Sequence, residues 1–250
     1  MQLIPVLDLM GGQVVRGVAG ERRTYQPVES LLVGEPTPDA IARGFCESLG
    51  LCEAYVADLD AIGGGEPDWK AFQSIAATGM QFWLDAGLRD AEAARRLIDF
   101  DPGGEILSGV IAGLETLSDL RTLSMMVEVV GSDRLVFSLD LKAGVPLSDA
   151  PDWRDKTAEQ IAQLAVSVGV SRMIVLDLAQ VGVGEGVGTE SICQALRERW
   201  PAVHLTAGGG VRNFTDVQSL SEAGCDAALV ASALHDGRIG PTELTRLQQL

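Results

Sequence analysis

Short apolar, β-branched runs alternate from one end of the chain to the other with longer stretches whose apolar residues recur at helical spacing. The short runs predict strands near Leu3–Leu9, Ala54–Leu59, Gln81–Asp85, Gly109–Ala112, Leu135–Leu141, Met173–Leu178, Val203–Ala207 and Ala228–Ala231. The longer stretches predict helices over Pro38–Leu49, Trp69–Thr78, Ala91–Phe100, Leu117–Val130, Thr157–Val168, Glu190–Arg199, Thr215–Glu222 and Glu243–Leu250. Polar capping residues mark several helix starts, Asn213 ahead of Thr215 among them. Eight strand–helix units point to a closed parallel (β/α)8 barrel of the TIM type, with an open doubly wound sheet as the alternative for any such alternation.

The pattern also repeats within itself. LIPVLDLMGG from Leu3 is echoed by LVFSLDLKAG from Leu135, and VADLDAIGGGE from Val56 by VLDLAQVGVGEG from Val175. DAGLRD from Asp85 is echoed by GGGVRN from Gly208, and VIAGLE from Val110, loosely, by LVASAL from Leu229. Four echoes in the same order imply a duplicated half-barrel. The expected organisation is one domain over residues 1–250, with half-barrels of about 1–130 and 131–250.

Composition narrows the chemistry. The formal net charge of -16 argues against nucleic acid and anionic membranes as partners, and no run approaches the ~20 apolar residues of a membrane helix. The N-terminal residues read directly as a strand, without a basic leader. Cys46, Cys52, Cys193 and Cys225 form no CxxC or Cys/His cluster and are expected to be small buried thiols in a reducing, cytoplasmic setting. With His204 and His235 as the only histidines, a histidine-rich metal site is excluded. Composition leaves a carboxylate-bound Mg²⁺ open, and no metal is assigned.

In a parallel barrel the active site gathers at the C-terminal strand ends. Asp8 and Asp140 end the first and fifth strands at equivalent places, which suits paired acid–base work. Gly208, Gly209 and Gly210 follow the seventh strand, and Ala231 and Ser232 the eighth, where phosphate sites of this fold collect. The first-half counterparts are Gly87 and Gly113, but Asp85 and Glu115 beside them repel anions, so a second phosphate site stays open. Arg16 and Lys142 are candidate substrate contacts, and Arg22 and Arg23 lie in a loop able to cover a ligand. Asp58 and Asp177, at the ends of the second and sixth strands, either orient ligand hydroxyls or brace loops, and Trp153 either covers a ligand ring or packs.

At IPVLDLMGGQVVRG, YVADLDAIGGGEP, LVFSLDLK, AGGGVRNFTDV and AGCDAALVASALHDG the chain resembles the sugar isomerase/cyclase family of histidine biosynthesis, over essentially its whole length. This family comprises ProFAR isomerase and the cyclase subunit of imidazole glycerol phosphate synthase. The resemblance implies a duplicated half-barrel, a phosphate site on each half, and a catalytic aspartate after strands one and five, here Asp8 and Asp140. It implies an Amadori rearrangement of a phosphorylated aminoaldose to an aminoketose, without a cofactor. On the cyclase reading it implies ammonia supplied by a glutaminase docked on the opposite face.

The sequence also departs from the isomerase pattern. Leu176 stands where that pattern has threonine, and Val181-Gly182-Val183 replaces an Asp-Gly-Thr element. Two alternatives therefore stand. One is a divergent paralogue acting on another phosphorylated metabolite, as cyclase, lyase or enzyme of one-carbon cofactor biosynthesis. The other is a non-catalytic phosphometabolite-binding barrel.

Overall fold

The computed structural model describes residues 1–101, 103–148, 150–183 and 186–247. Eight parallel strands form the barrel: β1 (Gln2–Met10), β2 (Glu53–Asp58), β3 (Gln81–Asp85), β4 (Leu107–Gly113), β5 (Leu135–Lys142), β6 (Arg172–Asp177), β7 (His204–Gly208) and β8 (Ala227–Val230). Each pairs with the next, and β8 closes on β1 through Gln2↔Ala227 to Pro5↔Val230. The closed ring replaces the open-sheet alternative. The outer helices are α1 (Pro38–Leu49), α2 (Trp69–Ala76), α3 (Ala91–Phe100), α4 (Leu120–Val130), α5 (Ala158–Ser167), α6 (Glu190–Arg199), α7 (Phe214–Glu222) and α8 (Pro241–Leu247). The last three residues of the predicted final helix lie outside the described residues. Helix α4 starts three residues later than its apolar pattern suggests, because the Asp119 carboxylate caps it by accepting from the Thr122 amide at 2.7 Å.

Two-residue periodicity decides which side chains meet inside the ring. Ile4, Tyr55, Trp83, Ile111, Val136, Ile174 and Leu229 form an inner cluster, while Leu3, Leu7, Leu84, Val110, Leu139 and Val175 join the larger layer under the helices. Residues of the same parity nearer the strand ends therefore face the mouth. Asp8 follows Ile4 by four residues, Asp85 follows Trp83 by two, and Asp140 follows Val136 by four. Below them the barrel is packed: Ile4, Trp83, Ile111 and Ile174 have at most 1% of their surface exposed.

Three short strands missed in the apolar pattern extend the mouth. Gln13–Arg16 pairs back on β1, with Asp8 opposite Val15, and Gln26–Pro27 pairs on it in turn. Val145–Pro146 folds back on β5. Too short to show alternation, they are set by tight turns. The expectation of four thiols is corrected: Cys46 and Cys52 are joined by a disulfide that ties the last turn of α1 to the start of β2, while Cys193 and Cys225 are buried thiols. The fold of the α1–β2 turn brings the two Cα atoms, six residues apart in sequence, to 4.7 Å. No helix among the described residues is long and apolar enough to cross a membrane.

Candidate active site

A cavity of about 720 Å³ opens at the C-terminal strand ends. Asp8, Asp85 and Asp140 line its floor, with Tyr55 beneath them and Arg16, Lys142, Gly209, Gly210, Ala231 and Ser232 around its wall. Asp8 and Asp140 stand on β1 and β5, four strands apart in a ring of eight, and so face each other across the cavity.

The three carboxyl groups have different surroundings. Burial raises Asp8 to about 7, opposed by Arg22 and reinforced by the charge of Asp85. Burial raises Asp140 to about 8 against the Ser138 hydroxyl, which donates to it at 2.6 Å, with Glu115 and Asp85 adding to the rise. Asp85 reaches only about 6, because the Gly87 amide donates to it at 3.0 Å and the Tyr55 hydroxyl at 2.9 Å. Close to neutrality this group holds acid and base forms side by side, the condition for proton transfer in both directions. Ser138 and Tyr55 lay hidden in the sequence; Ser138 shares parity with Asp140 along β5, and Tyr55 faces inward through its β2–β3 register against Trp83.

The loop after β1 lies directly over Asp8. A side-chain carbon at Gly17 would sit 3.0 Å from the Asp8 carboxylate, 3.1 Å from Val181 and 3.6 Å from the Tyr25 hydroxyl, so glycine lets the backbone pass. The Ala19 amide donates to the Val181 carbonyl at 2.8 Å on one side of the mouth. On the other, Arg22 pairs with Glu115 at 2.9 Å. The expected covering loop is thus anchored to the loops after β6 and β4.

At the β7–β8 end, Gly209 and Gly210 have φ of +88° and +98°, and a Cβ on Gly210 would meet the Gly186 carbonyl at 2.2 Å. Only glycine fits there. No hydrogen bond to a described residue uses the Gly209, Gly210 or Ser232 amides or the Ser232 hydroxyl. These donors line the cavity wall or border it. Arg238 also lines the wall and is paired with Asp236 at 2.6 Å. His235 is held neutral by burial, at about 4, and its Nδ1 lies 3.1 Å from the Ser30 hydroxyl.

The remaining expectations divide. Asp58 accepts from the Ala61 and Asp68 amides at 3.0 and 2.8 Å, and Asp177 from the Ala143, Gly144 and Ala179 amides at 3.0, 2.7 and 2.9 Å. Both brace loops and neither lines the cavity. Gly87 packs on the turn after β2, its missing Cβ 2.5 Å from the Ile62 Cα, and Gly208 and Gly113 sit within strand ends; none of the three lines the wall. Trp153 is a packing residue, 1% exposed, its indole donating to the Leu117 carbonyl at 3.2 Å. Among the described residues, no group of three or more His, Cys, Asp or Glu is arranged to hold a metal ion.

Fold and cavity define a (β/α)8 barrel with titratable carboxylates at the mouth on opposing strands. More narrowly, the chain belongs to the histidine biosynthesis protein family, whose model matches residues 2–240. It is 30% identical over 241 residues, 96% of each chain, to the Thermus thermophilus protein named 1-(5-phosphoribosyl)-5-((5-phosphoribosylamino)methylideneamino)imidazole-4-carboxamide isomerase. It is 28% identical over 247 residues, again 96% of each, to the Alkaliphilus metalliredigens protein of that name. An uncharacterized protein of Methanocaldococcus jannaschii is 28% identical over 252 residues, 98% of this chain and 97% of that one.

Proposed function

We propose that this protein is an aldose–ketose isomerase acting on a phosphorylated aminosugar, with Asp140 as general acid and Asp8 as general base. The observation that carries this reading is the pair of carboxyl groups facing one cavity from the opposed strands β1 and β5, both buried. Burial raises both groups above the usual carboxylate range, and the Arg22 guanidinium favours the ionised form of Asp8 while Glu115 and Asp85 favour the protonated form of Asp140, as the two roles require. Family membership and the isomerase names of relatives aligned over 96% of the chain support the reaction class.

Asp140 gives its proton to the ring oxygen as the C1–O bond breaks and the nitrogen lone pair forms an iminium at C1. Asp8 then takes the C2 proton, and that electron pair becomes the C1–C2 double bond while the nitrogen regains its lone pair. The enolamine tautomerises: Asp8 returns its proton to C1, and the C2 hydroxyl gives its proton back to Asp140 as it becomes a ketone. Protons balance over the cycle, and the substrate nitrogen serves as electron sink, so the step draws on no cofactor. The cyclase reading needs a route for ammonia from the opposite face, and the packed cluster of Ile4, Trp83, Ile111 and Ile174 on the barrel axis argues against one.

The test is to offer the purified protein N-substituted ribosylamine 5-phosphates, ProFAR among them, and to measure ketose formation. Turnover is expected in the wild type and a fall of about 10²–10⁴-fold in Asp8→Asn and in Asp140→Asn. A folded wild type that isomerises none of these compounds sinks the reading.

A further inference from the structure

The two ends of the cavity are related by position but not by chemistry. Strand register makes the comparison residue by residue. Asp85 is paired with Ala57 on β2, and Gly208 with Leu176 on β6. Because Asp58 and Asp177 occupy matching places against Leu9 and Leu141, Asp85 and Gly208 are counterparts. Gly113 is paired with Ser138, two residues before Asp140, and Ala231 follows the Pro5↔Val230 pair, beside the residue two before Asp8. Leu114 is therefore the counterpart of Ser232, one residue away from the match that the loose sequence echo suggests.

A hydrogen-bond account of the two ends then separates them. At the β7–β8 end the Gly210 and Ser232 amides and the Ser232 hydroxyl are unclaimed among the described residues. At the β3–β4 end the Gly87 amide donates to Asp85 and the Leu114 amide to the Ser138 carbonyl at 2.9 Å. Arg89 is also spent, on the Gly87 and Ile62 carbonyls at 2.9 and 2.8 Å. What this end turns to the cavity is acceptors, the carboxylates of Asp85 and Glu115, with Arg22 already held by Glu115.

We propose that the substrate carries a single phosphate, seated on the β7–β8 end, and that Asp85 and Glu115 select a hydrogen-bond-donating hydroxyl or amino group at its other end over a second phosphate. The proposal rests on reading this cavity as the isomerase site. It distinguishes this chain from the relatives whose printed names carry two phosphoribosyl groups.

Titration with inorganic phosphate, followed by ³¹P NMR and calorimetry, tests the proposal without turnover. One phosphate per chain is expected, lost in Ser232→Glu and retained in Glu115→Gln. Asp85→Gly combined with Glu115→Ala, which installs the second-half residue types, is expected to raise the count to two; circular dichroism checks that it folds. Two phosphates in the wild type, none at all, or one that survives Ser232→Glu in a folded protein overturns the proposal, and a count that stays at one in the folded double variant overturns the role given to Asp85 and Glu115. One phosphate bound without any aminosugar turnover leaves this inference standing and removes the isomerase reading. Efficient turnover of ProFAR with both of its phosphates held does the reverse.

Discussion

The β7–β8 end of the cavity and the β3–β4 end share one backbone plan, yet one offers unclaimed donors and the other offers acceptors. Asp85 stands where the other end has Gly208, Leu114 where it has Ser232, and Glu115 where it has Ala233. The lesson concerns backbone donors: a glycine-rich turn binds an anion only while its N–H groups are free. At Gly87 a neighbouring carboxylate has already taken the amide, so the turn is a structural closure instead. Position in a repeat predicts where a site can be; the hydrogen-bond account decides what it holds.

The largest expected effect falls on the element common to both ends, the aspartate pair. Asp140→Asn and Asp8→Asn should each lower kcat by about 10²–10⁴-fold while changing ligand affinity by less than about tenfold. Equal loss from both, without a parallel rise in KM, is what steady-state kinetics should report.

A change confined to one end comes next. Ser232→Glu should raise KM for a phosphorylated aminosugar about a hundredfold with kcat nearly held, since it removes binding common to ground and transition states. Gly210→Ala and Gly87→Ala sharpen the comparison. Both residues have positive φ and crowded Cβ positions, so each should cost about 1–3 kcal/mol in urea unfolding. Only Gly210→Ala should also weaken phosphate binding.

The pH dependence is smaller but separates the two acids. On the proposed roles Asp8 acts ionised and Asp140 protonated, so kcat/KM should rise as pH passes about 7 and fall above about 8. Stability follows the opposite logic. A carboxyl whose folded-state pKa is raised stabilises the fold below its unfolded value and loses that contribution as pH climbs through the folded value. Asp140→Asn should therefore melt several degrees above the wild type at pH 8.5, at about 2–4 °C per kcal/mol, and show no such gain near pH 4. The smallest effect is expected for Arg22→Ala. Its ion pair with Glu115 is partly exposed, so global stability should change by less than about 1 kcal/mol.

Much of this was legible before the structure. The strands carrying Asp8 and Asp140 stood out because apolar alternation and a strand-ending carboxylate recur in both halves, and a two-residue period fixes which way they face. The place of Gly209, Gly210 and Ser232 on the cavity wall was legible for a similar reason, since glycine and a small hydroxyl residue stand after strand ends. The roles of Asp58, Asp177 and Trp153 were not: whether a carboxylate meets ligand or loop depends on which amides the turns bring to it, which no local pattern records. Nor was the Cys46–Cys52 bond, since spacing alone does not set the approach of two side chains across a turn. The anchoring of the 17–25 loop depends on contacts with Val181 and Glu115, far away in sequence.

The most direct test of the account is ketose formation from an N-substituted ribosylamine 5-phosphate bearing one phosphate, measured at pH 7.5 for the wild type, Asp8→Asn and Asp140→Asn side by side. The account predicts turnover in the wild type and its near-complete loss in both folded variants. A folded wild type without turnover on this compound or on ProFAR, or variants that turn over as fast as the wild type, would contradict it.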